Sequence, residues 1–325
     1  MSSSEEELSG GEEQFRFKPT FDLCDLPAEV IKRVKALKNL QYENIKHEVE
    51  YYKELHKLDL KYKKLYDENH EKRKQICLGS YEPSEKECEW QDEGDDIVGE
   101  IKKMEIKEKN EEEKIKGIPN FWLTAFQNAN ETLLNGLFEK VDEPVFKHLE
   151  DITITIPETN TGFTLNFYFS PNDYFTNSVL TKEYEMKSGI DPEDPLDFDG
   201  PEVFQSKGCK IDWKAGKNLT MKMIKQKVKQ KGKGKGVQKF VTKQQKRESF
   251  FNFFSPPRIP EDKNEDLSVE CQGLITEDIH IGLCIQEKLV PRAILYFTGE
   301  VVEDESEFGD ISDDEFEDRD TEDDD

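Results

Sequence analysis

The chain has 325 residues, of which 36% are charged and 34% hydrophobic, and its formal net charge at pH 7 is -26. So acidic a balance repels nucleic acid and anionic membranes, and it makes basic proteins the first class of partner to consider. The first residues lack the basic and apolar stretches of a signal peptide, and no run of about 18 apolar residues could span a bilayer. We therefore expect a soluble intracellular protein with no membrane partner.

The charge is arranged in blocks. Residues 207–247 hold fifteen Lys or Arg against one acid, whereas residues 301–325 hold fifteen Asp or Glu against one base. These two blocks cancel in formal charge, so the remaining residues carry the whole -26. We expect an acidic folded body between two disordered acidic ends, 1–23 and 303–325, because segments of this composition cannot bury enough apolar surface to fold.

A long helix is predicted over residues 24–79, since Ala28 to Leu78 contains neither Gly nor Pro, Pro27 fits the first turn and Gly79 supplies the stop. Its apolar residues recur mostly three or four apart, and a helix of about 75 Å is too long to be covered by one small domain. The spacing breaks a strict heptad, so we expect two copies to pair in an antiparallel dimer, although a helix lying across its own domain stays open. The predicted dimerisation residues are Val34, Leu37, Leu40, Ile45, Val49, Tyr52, Leu55 and Tyr62.

The middle of the chain begins with a charged segment, 80–116, that is poor in large apolar residues and is interpreted as an insertion. The aromatic and leucine pattern of 117–138 indicates a helix packed into a core. Two runs that alternate apolar and polar residues, 151–157 and 162–169, predict a hairpin with one apolar face.

The second half of the body contains two further predicted strands, 209–214 and 238–243, on either side of a run rich in lysine and glycine, 225–236, that we call the basic run. Four phenylalanines in 249–257 indicate a short helix ended by two prolines, and 277–297 is a last helical region. Helices followed by strands and then helices, without regular alternation, indicate an α+β body with an antiparallel sheet over 117–302.

No catalytic or metal-binding pattern is recognisable. The six cysteines are scattered without a Cys-x-x-Cys pair, and the five histidines have no evident partner set. The basic run lacks the spacing and the Lys-Ser/Thr ending of a phosphate-binding loop. We predict a protein that is not an enzyme and that needs neither cofactor nor metal.

Five unusual motifs occur in one order along the chain: "GIPNFWLTAFQNA", "LTKEYEM", "GCKIDWKAGKNLT", "SFFNFFSPP" and "LVPRAILYFTGE". In order and spacing they resemble the nucleosome assembly protein family of histone chaperones, and with the long helix they cover roughly residues 24–302. The resemblance implies a homodimer joined by the long helix, with a four-stranded antiparallel sheet in each body. It also implies a concave acidic surface that holds core histones, shields them from nonspecific DNA contact and promotes nucleosome assembly and exchange.

Candidate histone-binding acids lie after the first body helix, in the loop that follows "LTKEYEM", after the Phe-rich helix and in the tail. Many weak ion pairs around an apolar concavity would compete with phosphate for histone side chains while each pair stays exchangeable. Any one of these acids could equally be a solvated surface charge. The candidates are Asp142, Glu143, Asp191, Glu193, Asp194, Asp197, Asp199, Glu261, Asp262, Glu265, Asp266, Asp313, Asp314 and Glu315.

The basic run fits a nuclear localisation signal, which the family carries on a projecting hairpin between the third and fourth strands. An import receptor would then recognise Lys225, Lys227, Lys229, Lys231, Lys233 and Lys235. A second possibility is that this arm meets the acidic face of another dimer and forms higher oligomers. The resemblance also implies binding of linker histones and movement between nucleus and cytoplasm. Ser or Thr three residues before an acid, a pattern that acidophilic kinases prefer, recurs in both ends and indicates a phosphoprotein.

Three other functions stay open. A related branch of the same fold masks histone tails and inhibits a protein phosphatase, which an inhibition assay would detect. The Lys-rich arm could make the protein a transport or nucleic-acid adaptor, in which case DNA or RNA would bind it tightly. A purely structural dimeric scaffold would show no preference for histones over other basic proteins.

Overall fold

The described residues of the computed structural model are 26–89, 115–158, 161–228, 239–258 and 268–301. At 225–228 and 239–242 only the backbone is described. The predicted ends, 1–23 and 303–325, and most of the charged insertion lie outside these ranges.

Helix α1, Ala28–Cys77, is a continuous helix of 50 residues and lies within the predicted span 24–79. Its first turn forms where the Pro27 carbonyl accepts hydrogen bonds from the backbone N–H groups of Val30 and Ile31. Just after its end, Gly79 has a φ of 63°, a left-handed conformation that favours glycine and stops the helix. Pro27 and Gly79 thus mark the helix ends, as the sequence predicts.

The chain divides into two compact units, and α1 passes through both. One unit contains α1 as far as Lys57 together with the segment Ser188–Pro201. The other contains Leu58–Lys187 and the chain from Glu202 onward. Among the described residues, no helix is both long enough and apolar enough to cross a membrane.

The apolar residues of α1 lie on two separate faces. We define the covered face by Tyr42, Ile45, Val49 and Tyr52, of which Ile45 and Val49 are buried and the two tyrosines half-buried. We define the exposed face by Leu37, Leu40, Tyr51, Leu58, Tyr62 and Leu65, all of which are exposed. At 3.6 residues per turn the two faces are centred about 140° apart around the helix axis.

The single dimerisation stripe expected from sequence is therefore divided between these faces. Ile45, Val49 and Tyr52 belong to the covered face, and Val34 lies beside it by helical position. The other four predicted residues, Leu37, Leu40, Leu55 and Tyr62, belong to or border the exposed face. Spacing of three or four residues fits both faces of so long a helix, so the sequence pattern alone could not separate them.

Four antiparallel strands form the main sheet in the order β1-β2-β3-β4. They are β1 (Leu149–Thr155), β2 (Gly162–Phe169), β3 (Val179–Lys187) and β4 (Glu202–Gly208). Buried and partly buried residues alternate strictly along β2, and its Phe167 is paired with Ile152 of β1 and Leu180 of β3. The predicted hairpin with one apolar face is confirmed.

The strand predicted at 209–214 is wrong. The fourth strand is β4, which precedes it, and the later residues contribute only an isolated bridge between Trp213 and Phe175. The Trp213 ring packs edge-on against Phe175 and Phe251, with centroids 5.6 and 5.4 Å away, so the alternation around it reflects an aromatic anchor. β4 was missed because its residues are mostly half-buried and show no clear alternation.

The basic run begins on β5 (Met221–Val228) and is followed by β6 (Lys239–Lys246), and among the described residues these two strands pair with each other alone. The strand predicted at 238–243 is confirmed as part of β6. The expectation that the run lies between the third and fourth strands is wrong, because it follows β4 and joins β5 to β6. The basic ribbon, as we name this hairpin, is separate from the main sheet.

The remaining helical segments complete the described part of the chain. They are α2 (Phe121–Leu133), α3 (Glu143–Phe146), α4 (Val269–Cys284) and α5 (Ala293–Thr298), with 3-10 helices at Glu85–Cys88 and Phe250–Phe254 and a π-helical turn at Ile285–Leu289. These bounds confirm the helices predicted in 117–138, 249–257 and 277–297.

The 3-10 helix Phe250–Phe254, hereafter the Phe helix, is at the centre of the core, with all four phenylalanines buried. The Phe250 ring meets Phe126 of α2, Phe146 of α3 and Phe167 of β2 edge-on, with centroid distances of 5.3, 5.0 and 5.8 Å. Each such pair adds about 0.5–1.5 kcal/mol to the gain from burial alone. One ring therefore joins three elements of the body.

A buried ion pair ties the sheet to α4. Lys182 of β3 is fully buried, pairs with Asp278 of α4, and also donates to the Phe253 carbonyl at 2.9 Å. Burial lowers the pKa of Lys182 to about 8, against the opposing effect of Asp278. Removing one partner of such a pair costs about 3–5 kcal/mol, because the other charge is left buried and uncompensated.

Candidate functional site

The acidic segment, Ser188–Pro201, joins β3 to β4 and belongs to the same compact unit as the first half of α1. Five of the predicted histone-binding acids lie on it: Asp191, Glu193, Asp194, Asp197 and Asp199. Three of them, Glu193, Asp197 and Asp199, are exposed. The Asp191 carboxylate accepts a hydrogen bond from the Glu193 backbone N–H at 3.0 Å, so part of the charge also shapes the turn.

Tyr52 fixes the C-terminal end of the acidic segment. Its hydroxyl donates to the main-chain carbonyl of Asp199 at 3.3 Å, and its ring meets Phe198 edge-on with centroids 6.0 Å apart. Gly200 has a φ of 141°, and a Cβ atom there would lie 2.9 Å from the Tyr52 hydroxyl. A side chain at position 200 would therefore be strained in its backbone and would crowd this contact.

Tyr52 thus has a partner within its own chain. Helical spacing predicts a dimerisation role for Tyr52, but its ring and hydroxyl both contact residues 198–200 of the same chain. We call the contact of Tyr52 with Phe198, Asp199 and Gly200 the tyrosine clasp. Neither helical spacing nor composition distinguishes a clasp residue from a dimer residue, because the partner segment is more than a hundred residues away in sequence.

An open cleft of about 560 Å³ lies between α1 and the acidic segment. The helix contributes Lys38, Asn39 and Tyr42 to it. The segment contributes four apolar residues, Ile190, Pro192, Pro195 and Leu196. These apolar residues are interspersed along the chain with acids, and the acidic composition of the segment predicts a role for the acids alone.

Asp142 is not a surface acid. It is fully buried, and its carboxylate accepts hydrogen bonds from Ser249 Oγ at 2.6 Å and from the Phe250 backbone N–H at 2.7 Å. Burial raises the pKa of this carboxyl, and these hydrogen bonds partly offset the shift. Asp142 therefore secures the start of the Phe helix, whereas the neighbouring Glu143, in the first turn of α3, is only half-buried.

Several predicted site residues lie outside the described residues. These are Glu261, Asp262, Glu265 and Asp266 after the Phe helix, Asp313, Asp314 and Glu315 in the tail, and Lys229, Lys231, Lys233 and Lys235 of the basic run. Lys225 and Lys227 lie on β5, where only the backbone is described. In the described ranges there is no group of three His, Cys, Asp or Glu side chains that could hold a metal ion.

A family model described as Nucleosome assembly protein (NAP) matches residues 32–300, which is most of the chain. The chain belongs to the nucleosome assembly protein family. It is 46% identical over 295 residues to Nucleosome assembly protein 1-like 1-A of Xenopus laevis, and 44% identical over 296 residues to Nucleosome assembly protein 1-like 1 of Homo sapiens. Each alignment covers 89% of this chain and 74% of the relative.

Solved structures of the nucleosome assembly protein family show the same fold. Nucleosome Assembly Protein 1 from Plasmodium knowlesi is 29% identical, with a TM-score of 0.54 over 85% of this chain and 100% of that chain. A malaria parasite Nucleosome Assembly Protein is 26% identical, with a TM-score of 0.50 at the same coverage. The family resemblance and the α+β fold with a long helix and a four-stranded antiparallel sheet are confirmed.

The two adjacent acids, Asp142 and Glu143, offer a matched test of buried and surface roles. Asp142→Ala removes the acceptor for the start of the Phe helix, so we expect the free energy of unfolding to fall by about 3 kcal/mol. Glu143→Ala makes the same change in charge and should cost less than about 1 kcal/mol. Urea denaturation measures both; unchanged stability of Asp142→Ala together with lost histone binding would contradict the structural role.

Proposed function

We propose that this member of the nucleosome assembly protein family is a histone chaperone that binds core histones and shields them from nonspecific contact with DNA. The observation that carries the proposal is the acidic segment, which holds five acids within nine residues, 191–199, on a backbone secured by the tyrosine clasp. Its exposed carboxylates fit the Lys and Arg side chains of a histone. Family membership supports the same role.

The exposed acids explain how such binding stays reversible. A solvent-exposed ion pair contributes only about 0.2–1 kcal/mol, so affinity comes from many pairs and each can exchange with phosphate. Histones bind DNA through the same side chains, with release of counterions. The chaperone therefore competes with nonspecific DNA for the histone. It releases the histone where the contacts in a nucleosome are stronger than those with the chaperone. This proposal involves no catalytic step, cofactor or metal.

Titration with core histone dimers tests the chaperone function. We expect saturable binding at about physiological salt and release of histones from nonspecific DNA, because the acids compete with phosphate. Fluorescence titration with competitor DNA gives the affinity. Polylysine is the control for charge alone. An affinity for histones no higher than that for polylysine would contradict the chaperone proposal and favour a scaffold.

The proposed chaperone is a homodimer joined by the exposed face of α1. Between Leu37 and Leu65 this face extends for about 42 Å along the helix at 1.5 Å per residue. Its six large side chains are exposed in the single chain, among them Leu37 at 64% and Leu65 at 53%. Exposed apolar side chains repeated along one face of a helix favour a protein interface there. We do not propose the covered face as the main contact, because Ile45 and Val49 are already buried within the single chain.

Charge substitutions on the exposed face test the dimer. Leu58→Asp with Tyr62→Asp should convert the dimer to a monomer, because carboxylates buried in an apolar helix contact have no partner. The control is Lys57→Asp with Lys64→Asp, which adds two acids at helical positions turned away from this face. Light scattering gives the mass. Dissociation by the control pair, or none by the first pair, would contradict the assignment.

The basic ribbon is proposed to carry the nuclear import signal and to support movement between cytoplasm and nucleus. The run of alternating lysines connects β5 and β6, which pair with each other and not with the main sheet. We also propose that the basic ribbon of one dimer can contact the acidic surface of another, because their charges are opposite. Linker histones, which are basic, would bind the acidic surface for the same reason.

Substitution of the lysines tests the import role. Changing Lys225, Lys227, Lys229, Lys231, Lys233 and Lys235 to Gln should abolish nuclear accumulation of a fluorescent fusion, because an import receptor reads the positive charges. Arg at the same six positions is the control and should preserve import. Nuclear accumulation that survives the Gln variant would remove the signal from this run.

A further inference from the structure

We propose that the cleft between α1 and the acidic segment is a docking site for a basic segment of a histone that carries a bulky apolar residue. This inference rests on the proposed function and goes beyond it, because it adds an apolar anchor to the attraction between charges. The apolar residue would enter the cleft, and the Lys or Arg residues beside it would pair with acids of the segment.

The cleft has the size and lining for such an anchor. Its volume of about 560 Å³ falls within the range of about 300–1,000 Å³ common for ligand sites. Tyr42 from the helix and Leu196 from the segment both line it, and Leu196 keeps 37% of its surface exposed. An apolar side chain placed between them would remove apolar surface from water, which is favourable in proportion to the area buried.

The charges around the cleft select a basic occupant. Glu193 and Asp197 are exposed and are neighbours in sequence of the lining residues Pro192 and Leu196. The helix side carries Lys38 in the lining and Lys46 over the ring of Tyr42, and both would repel positive charge there. A basic segment would therefore place its apolar residue toward the helix and its Lys or Arg residues toward the acidic segment.

The wall of the cleft is held in place before anything binds. Pro192 and Pro195 restrict the backbone of the acidic segment, and the tyrosine clasp secures the chain just beyond Asp197. Pre-ordered walls lower the entropy lost on binding, so a modest anchor gives useful affinity.

Two other occupants are alternatives to a histone segment. A second copy that met the cleft with its acidic segment would bring like charges together, which is unfavourable at close range, whereas contact through its basic ribbon is an outcome that the crosslinking test below detects. Residues 1–25 of the same chain hold seven acids and two bases, so they are acidic as a whole. Charge complementarity therefore favours a basic partner.

Matched substitutions test the anchor and the charges separately. Leu196→Ala should weaken binding of core histone dimers about 5-fold, since the apolar contact is lost. Glu193→Gln with Asp197→Asn should weaken it about 5-fold and reduce its dependence on salt, since two ion pairs are lost. The controls are Leu274→Ala, an exposed leucine of α4, and Glu131→Gln with Asp173→Asn, two exposed acids elsewhere; we expect less than a 2-fold change from either.

A photo-crosslinker at position 196 identifies the occupant. With p-benzoyl-phenylalanine in place of Leu196, irradiation of the complex should join the chaperone to a histone chain. A product joined to residues 1–25 or to a second copy would overturn the proposal, as would unchanged affinity of Leu196→Ala. If the unaltered protein does not bind histones selectively, the proposed function itself fails, and that result is distinguishable from loss of the anchor alone.

Discussion

Helix α1 has 50 residues and carries apolar side chains on two faces, and only the covered face has residues that are buried within the described part of the chain. The acidic segment belongs to the compact unit that contains the covered face, where Ile45 and Val49 are buried. The exposed face has no such cover within the described part of the chain. The long helix therefore has two different faces, since one belongs to the unit with the acidic segment and the other is the face that we propose for contact with a second copy.

Burial divides the acids of this protein into two groups. Asp142 and Asp278 are buried among partners, where they hold the Phe helix and pair with Lys182. Glu193, Asp197 and Asp199 are exposed on a secured backbone. A buried carboxylate with fixed partners stabilises the body but is unavailable to a histone, whereas an exposed one adds little stability and stays free to exchange. The net charge of -26 is thus a poor measure of the binding surface.

The sequence was informative where a signal is local or where several motifs combine. Helix ends marked by Pro27 and Gly79, the alternating hairpin and the Phe helix all followed from short patterns, and the motif order identified the family. Signals that depend on distant contacts were not readable. From sequence alone Asp142 resembles a surface acid, and its hydrogen bonds with Ser249 and Phe250 become visible only in the folded chain. Tyr52 fits a dimerisation stripe by spacing, but in the folded chain it contacts residues 198–200. The alternation around Trp213 likewise resembles that of a strand, although it arises because the Trp213 ring packs in the core.

The tyrosine clasp has a consequence for how this protein can change over evolutionary time. Tyr52 holds the main-chain carbonyl of Asp199 and the ring of Phe198, and it makes no use of the carboxylates around them. Drift at Glu193, Asp197 or Asp199 therefore leaves the path of the backbone intact. Paralogues could diverge in the number and placement of these charges, and so in partner preference, while Tyr52, Phe198 and Gly200 stay under purifying selection.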